Sequence, residues 1–409
     1  MSSKKNTAIL LSGLFLVMIG FGITLPVLPF YIQKLSLAQG ISKEKLWLHV
    51  GLITSAYPLM QFLFAPFLGS LSDRLGRRPL ILTGLVGYAV ATFLFSFSAS
   101  LWQLYIFRLA AGFFSSAFLT ASSAFIADNT TAEKRATGMA SLISVNSLGL
   151  VAGPLIGNLF SNVSLTVGPF KLNNFSLPFT ISAVLVLVTF AVLFFLLPNL
   201  KKAAGMQIVS KQKSANESVF MFLKSVTHSF MLLLAFSFIS QLSLAMFEGT
   251  FGLHLQRLFS YGPAQMSIVF IVCGSIMGVL QLGPIKWLIK KWGEKRLLPY
   301  GFIVLGIGMA MLMIPRKLEF ILLYVTVISV GTSILTPSLA SLITKDTGKN
   351  FGTSLGVFSS VNSLGQVLGV IAGSVLMIWF THLPYFLISA IIFITSVFSM
   401  YAFRQRKSK

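Results

Sequence analysis

Charge is missing from long stretches of this chain. Eleven segments run for 19 or more residues without Lys, Arg, Asp or Glu, from 6–33 near the start to 350–403 near the end. A helix needs about 20 largely apolar residues to cross a bilayer, and side chains without charge make a poor surface for water. Only 10% of the 409 residues are charged and 55% are hydrophobic, against about 25% charged in an ordinary soluble domain. The pattern excludes a soluble globular fold and points to lipid as the main solvent. The first run, Asn6 to Gln33, exceeds the apolar core of a secretory signal and reads as a retained helix.

Splitting the longest run at His382–Pro384, and placing Arg108 and Glu248 within the membrane, gives twelve spans. They are 7–32, 47–71, 79–98, 101–127, 136–160, 175–198, 229–256, 263–285, 297–315, 318–344, 351–379 and 383–403. The expected fold class is an all-α membrane protein with twelve transmembrane helices in two six-helix bundles. With both termini cytoplasmic, inside segments hold 23 Lys and Arg and outside loops hold 7, Arg108 being the remaining one of 31. Basic residues collect on the cytoplasmic side of membrane proteins, so the split sets the orientation: a multi-pass protein of the cell membrane. It also accounts for the net charge of +22 without nucleic acid. One cysteine, Cys273, and four scattered histidines offer no metal-ligand spacing, and no phosphate-binding P-loop occurs. Neither metal nor cofactor is expected.

The chain also repeats itself. SVNSLG occurs at 144–149 and at 360–365, and at the same offset Gly153 matches Gly369 and Gly157 matches Gly373. Duplication divides the chain into an N-terminal bundle (1–198), a basic cytoplasmic linker (199–224) and a C-terminal bundle (225–409). Transporters that rock one bundle against the other are built this way.

Three segments carry more than a span requires. GSLSDRLGRRP at 69–79 lies between spans 2 and 3, where Gly69 and Gly76 permit a close approach and a tight turn. Asp73 there can pair with the arginines, Arg74 and Arg77 among them, or with the positive end of span 3. The order of these residues resembles the inter-span loop of the major facilitator superfamily. That likeness implies a gate between the bundles rather than a substrate ligand. The corresponding GEKR at 293–296 keeps the glycine and lacks the aspartate. Arg108, in LYIFRLAAG, is a fixed charge at membrane depth that needs a partner or a cavity. Its match to the family pattern implies a part in proton relay. In GLVAGPLIGN at 149–158, Gly149, Gly153 and Gly157 form one smooth helix face and Pro154 interrupts the backbone ladder. This resembles the signature of the family's drug–proton antiporters, with Asn158 in place of the last glycine. So does span 1, with Pro26 and Pro29.

Glu248 stands apart from the other eight acids, which fall in loops or at span ends. It follows 23 uncharged residues and precedes eight more. A carboxyl that is protonated when empty and ionised beside a cation is what proton–drug exchange needs. Gln241 is two helical turns away on the same face. The segment AMFEGTFGL around Glu248 is similar to span 7 of the NorA and Bmr family of multidrug pumps, and Gln61 matches a span-2 glutamine of that family. Those pumps carry a second acid in span 10, where this chain has Ser333. Tyr57, Phe247 and Phe251 are further candidates to line a drug cavity, although packing in the core or against lipid is the commoner place for any one such ring.

The function expected is a proton-coupled multidrug efflux antiporter exporting amphiphilic cationic compounds by alternating access. Its partners would be protons, the lipid bilayer and a small-molecule substrate, a lipophilic drug or metabolite. The chain would work as a monomer. An exporter of neutral metabolites such as sugars would use Glu248 only as a hydrogen-bond partner. A non-transporting sensor should carry a sizeable soluble domain, and an enzyme would need paired catalytic groups at membrane depth, where only Arg108 and Glu248 qualify.

Overall fold

The computed structural model describes residues 3–130, 135–159, 165–167, 170–172, 175–198, 228–314, 317–346 and 351–404. The linker at 199–224 lies outside these. Among the described residues there are fourteen helices. In the first half they are α1 (Ser3–Thr24), α2 (Leu28–Ala38), α3 (Lys43–Leu75), α4 (Arg77–Ser96), α5 (Leu101–Asp128), α6 (Arg135–Leu159) and α7 (Leu177–Leu196). In the second they are α8 (His228–Phe259), α9 (Pro263–Leu282), α10 (Pro284–Trp292), α11 (Glu294–Met311), α12 (Leu318–Asp346), α13 (Phe351–Trp379) and α14 (Leu383–Arg404). Ten helices are long and apolar enough to cross a membrane. Two more complete the set of twelve: α6, which packs on α1, and α11, which packs on α12 and α14.

Three local expectations need correction. Span 1 is not one helix over 7–32: residues 25–27 form a turn between α1 and α2, and Pro29 sits in the first turn of α2. Proline lacks the N–H that would continue the ladder and is best tolerated at a helix start. Span 8 ends at Leu282 rather than 285, and the basic cytoplasmic stretch after it holds a short amphipathic helix, α10, that the span list did not contain. Finally, Leu165–Val167 and Phe170–Leu172 pair as a small antiparallel hairpin, with Thr166 opposite Lys171, in a fold otherwise helical.

Each half uses the same packing scheme. The pairs α1–α6, α3–α5, α4–α5 and α4–α7 of the first half recur as α8–α13, α9–α12, α11–α12 and α11–α14 of the second. The halves meet through α3–α13 and α6–α9, which are again counterparts. One turn shows the duplication at the level of dihedral angles: Gly76 and Gly293 both adopt positive φ, +98° and +78°. Only glycine takes that conformation cheaply, so each ends one helix and starts the next.

The core is not divided evenly between the halves. One cluster, around Leu14, Leu85, Phe118 and Phe125, belongs to the first half. A larger cluster joins α2 and the start of α3 (Phe30, Tyr31, Trp47, Val50) to the second half through Phe247, Phe251 and Leu253. The halves are therefore sealed at the end that carries the 39–42 turn. Gly51 lies against Ser374 there, and Gly252 against the Phe30 ring. At the opposite, basic end, Asp73 and Asp128 keep 62% and 52% of their side chains exposed.

Candidate functional site

Arg108 lies on the third turn of α5, about 10 Å from the helix start at 1.5 Å per residue, and only 6% of it is exposed. Its guanidinium packs over the ring of Tyr57 at 4.9 Å and the ring of Phe21 at 5.9 Å. Among the described residues its Nε has no hydrogen-bond partner and no acid pairs with it. Cation–π contact offsets part of the cost of burying this charge. Ser115, seven residues on and on the same helix face, shares a 2.5 Å hydrogen bond with the Tyr57 hydroxyl and accepts one from Gln61 Nε2 at 3.3 Å. Arg108, Tyr57 and Gln61 thus form one cluster in the wall of the first half. Ser115 was missed in the sequence, although its seven-residue spacing from Arg108 was there to be read.

Glu248 sits two-thirds of the way along α8. It is half-buried, and no hydrogen bond or ion pair joins its carboxylate to a described residue. The Cys273 thiol of α9 is within electrostatic range of it, and Ser329 of α12 donates to Cys273 Sγ at 3.1 Å. Ser333, one turn along from Ser329, is fully buried, and its hydroxyl has no partner among the described residues. Gln241 is partly accessible, like Glu248. Phe247 and Phe251 are placed differently. Each is 1% exposed, their rings lie 4.6 Å apart, and both belong to the core that seals the halves. In this arrangement they pack rather than line a gap.

The segment 69–79 is the end of α3 and the start of α4, joined at Gly76, and it folds around Arg77. Its Nη2 lies 2.5 Å from Asp73, its Nε donates to Asp128 at 2.9 Å, and its Nη1 donates to Ser72 Oγ at 3.1 Å. The expected pairing of Asp73 with an arginine is thus present, through Arg77 and not Arg74, and Asp128 is an addition to it. Gly69 lies against Thr120 of α5. The second half has its own ionic pin at the corresponding place: Glu294 accepts from Lys345 Nζ and from Ser341 Oγ at 2.9 Å. Burial works to raise the Glu294 pKa, but these hydrogen bonds outweigh it and hold the carboxyl below its usual range.

The glycine face of α6 is a packing surface for α1. A Cβ on Gly153 would stand 2.5 Å from the backbone of Gly22, and one on Gly149 would meet Met18 Cβ at 2.5 Å. Gly157 lies against Ile23. Pro154 stays inside a continuous α6. In the second half Gly365, Gly369 and Gly373 meet α8 in the same way. The side chain of Asn158 lies outside the described residues.

Twelve membrane helices in two repeated halves, closed on one another at one end and bearing lone charges in their walls, define a transporter of the rocking-bundle class. The chain belongs to the Major Facilitator Superfamily, whose profile matches residues 10–286 and 233–409. It is 29% identical over 369 residues to the Tetracycline resistance protein, class B, of Escherichia coli, covering 90% of this chain and 87% of that one. It is 26% identical over 386 residues to Multidrug resistance protein 1 of Bacillus subtilis strain 168, covering 94% and 93%. The fold is also similar to the crystal structure of the human organic anion transporter MFSD10 (TETRAN), with a TM-score of 0.71 and 22% identity over 98% of this chain and 100% of that one.

Proposed function

We propose that this protein is a proton-coupled multidrug efflux antiporter of the cell membrane, exporting amphiphilic cationic compounds by alternating access. The observation that carries the reading is Glu248: a carboxyl deep in the bundle, partly accessible, with no cation or donor among the described residues holding it. An ionised carboxylate in that position is costly unless a cation arrives. Drug and proton are therefore alternative partners for one group.

In the cycle we envisage, the basic end is cytoplasmic and both termini lie on that side. The halves, 1–198 and 225–409 joined by 199–224, separate toward the cytoplasm while the far end is sealed. A cationic drug enters and is held by Glu248. Gln61, Gln241 and Tyr57 supply hydrogen bonds, while Phe247 and Phe251 become available as the far end opens. Arg108, a buried cation against Tyr57 and Phe21, takes part in the proton relay. The turn of Gly69, Asp73, Arg74, Gly76 and Arg77 gates the basic end. The α1–α6 contact at Gly149, Gly153, Pro154 and Gly157 keeps the first half rigid while it rocks. The chain works as a monomer, with protons and the drug as its only small partners.

Ethidium efflux from cells or proteoliposomes, with and without a proton uncoupler, tests the reading. Efflux should stop with the uncoupler and in Glu248→Gln, which mimics the protonated acid while keeping its shape. Undiminished uphill efflux by that variant would remove Glu248 from the mechanism.

A further inference from the structure

Where the first half carries its gating turn, the second half carries α10. Aligning Gly293 with Gly76 sets α10 against the last turns of α3. There α3 runs unbroken to Leu75, whereas α9 stops at Leu282 and Pro284 opens a new helix. At the same alignment Lys290 stands where the first half has Asp73, and Trp287 where it has Ser70. The acid of the gate is gone, and basic and aromatic residues take its place.

One side of α10 is fixed to the bundle. Ile285 packs with Leu297 and Ile334, and Leu288 and Ile289 close on the same cluster. Trp287, Lys290 and Lys291 are exposed, and at 3.6 residues per turn they fall on the face away from Ile285. The Lys291 ammonium lies 4.9 Å from the centre of the Trp287 ring. Lys295 and Arg296, both exposed, extend the basic face onto the first turn of α11. None of these four cations has an acid within ion-pair distance among the described residues, and Glu294 beside them is taken by Lys345.

The aromatic rings show where this face lies. Trp287 is 59% exposed, Trp292 47% and Tyr300 53%, a large apolar surface to leave in water. The Trp292 and Tyr300 rings lie 6.3 Å apart, which ties the end of α10 to the outward side of α11. Ile307, two turns beyond Tyr300 on that side, is exposed as well, as suits a side that meets lipid. The short helix therefore sits at the rim of the bundle, at the level where α11 enters the bilayer. Tryptophan and tyrosine collect at that level, and anionic headgroups there attract Lys and Arg.

We propose that α10 and the first turn of α11 form a binding surface for anionic phospholipid in the leaflet on the basic side. Trp287 seats among the headgroups, and Lys290, Lys291, Lys295 and Arg296 meet their phosphates. Each basic residue at such a surface is worth roughly fivefold in association. The inference stands apart from the proton-exchange reading of Glu248, because nothing in it depends on what the protein carries.

The test uses the full chain in phosphatidylcholine vesicles with added phosphatidylglycerol or phosphatidylcholine brominated high on the acyl chain. Bromine quenches tryptophan on contact, and the quenching lost in Trp287→Phe isolates the share of Trp287 in each background. In the wild type, phosphatidylglycerol should associate there about tenfold or more over phosphatidylcholine, and salt should weaken the preference. With Lys290→Gln, Lys291→Gln, Lys295→Gln and Arg296→Gln together, the ratio should fall close to one. An equal loss of charge from the linker, by glutamine at Lys201, Lys202, Lys211 and Lys213, should leave it unchanged. No quenching of Trp287 by either lipid, a wild-type ratio near one, or equal loss in the linker variant would each overturn the surface. So would displacement by inorganic phosphate beyond that by chloride at equal ionic strength, which marks a site for free phosphate. If the fourfold variant does not insert, Lys290→Gln with Lys291→Gln carries the comparison, and a severalfold drop is expected.

Discussion

Replacing Gly153 by alanine puts a methyl carbon inside the backbone of α1. The new Cβ would lie 2.5 Å from the carbonyl carbon and Cα of Gly22, whereas non-bonded carbons rest about 3.5–4.0 Å apart. The obstructing atoms are backbone, so no rotamer change relieves the contact and α1 must move off α6 by about 1 Å. Overpacking of this kind costs about 1–3 kcal/mol. Unfolding entropy of about 2 cal/mol/K per residue converts that to roughly 1–4 °C in melting temperature for a chain of 409 residues. Cys273, the single cysteine, is buried, so a thiol-reactive fluorophore reports the transition in detergent. Gly356→Ala is the control: a Cβ there meets nothing within 4 Å, and alanine is worth up to about 1 kcal/mol over glycine in a helix. Gly153→Ala should melt below wild type and Gly356→Ala at or above it. Equal melting temperatures for the two variants would refute the close-packing argument.

Arg77→Ala removes the contacts to Asp73, Asp128 and Ser72 together; turnover in vesicle efflux should slow while drug affinity, measured by quenching of a fluorescent substrate, holds. With Glu248 as the one exchanging carboxyl, one proton replaces one monovalent cation and no net charge moves. Export should then follow the pH difference, about 1.4 kcal/mol for each unit, and ignore a potassium–valinomycin potential, worth about 2.3 kcal/mol per charge per 100 mV. A response to the potential at constant pH would exclude that stoichiometry.

The spans were legible because lipid imposes a one-dimensional rule: no charge for about 20 residues. Arg108 and Glu248 stood out for the same reason, as interruptions of that rule. What the sequence hid is contact between distant segments. His254 and His382, whose rings stand 5.3 Å apart, come together only through the α8–α14 contact, and nothing in their spacing announces it. The placing of Phe247 and Phe251 was equally hidden. On a helix with so little amphipathic contrast, periodicity does not tell a core face from a cavity face, so the sequence left both readings open for those two, and in this arrangement both are buried. The α10 helix escaped because nine residues with three lysines do not read as a span, and Ile285 anchors them to Leu297 and to the distant Ile334. Asp128 lay in plain view, but its pairing with Arg77 joins residues 51 apart.

The ionic pins of the two halves occupy corresponding places with opposite polarity. In the first half a cation, Arg77, opens α4 and an anion, Asp128, closes α5. Both stand against the helix dipoles, which favour anions at N-termini and cations at C-termini by about 0.3–1 kcal/mol each. In the second half an anion, Glu294, opens α11, and Lys345 lies in the last turn of α12, so both agree with the dipoles. The first pin is the easier to release, as suits a gate; the second suits a fixed joint. Asp128→Asn should therefore change turnover with little loss of melting temperature, and Glu294→Gln should lower the melting temperature with little change in turnover. The pH dependence separates them further. The Glu294 pKa is depressed in the folded state, so its contribution is present above the unfolded carboxylate pKa, about 4.3, and is lost as pH falls through the folded value. Wild type should approach Glu294→Gln in stability only on acidification below that range. A Glu294→Gln variant that melts with wild type at neutral pH, or that loses turnover as Asp128→Asn does, would show that the second pin is also a moving part.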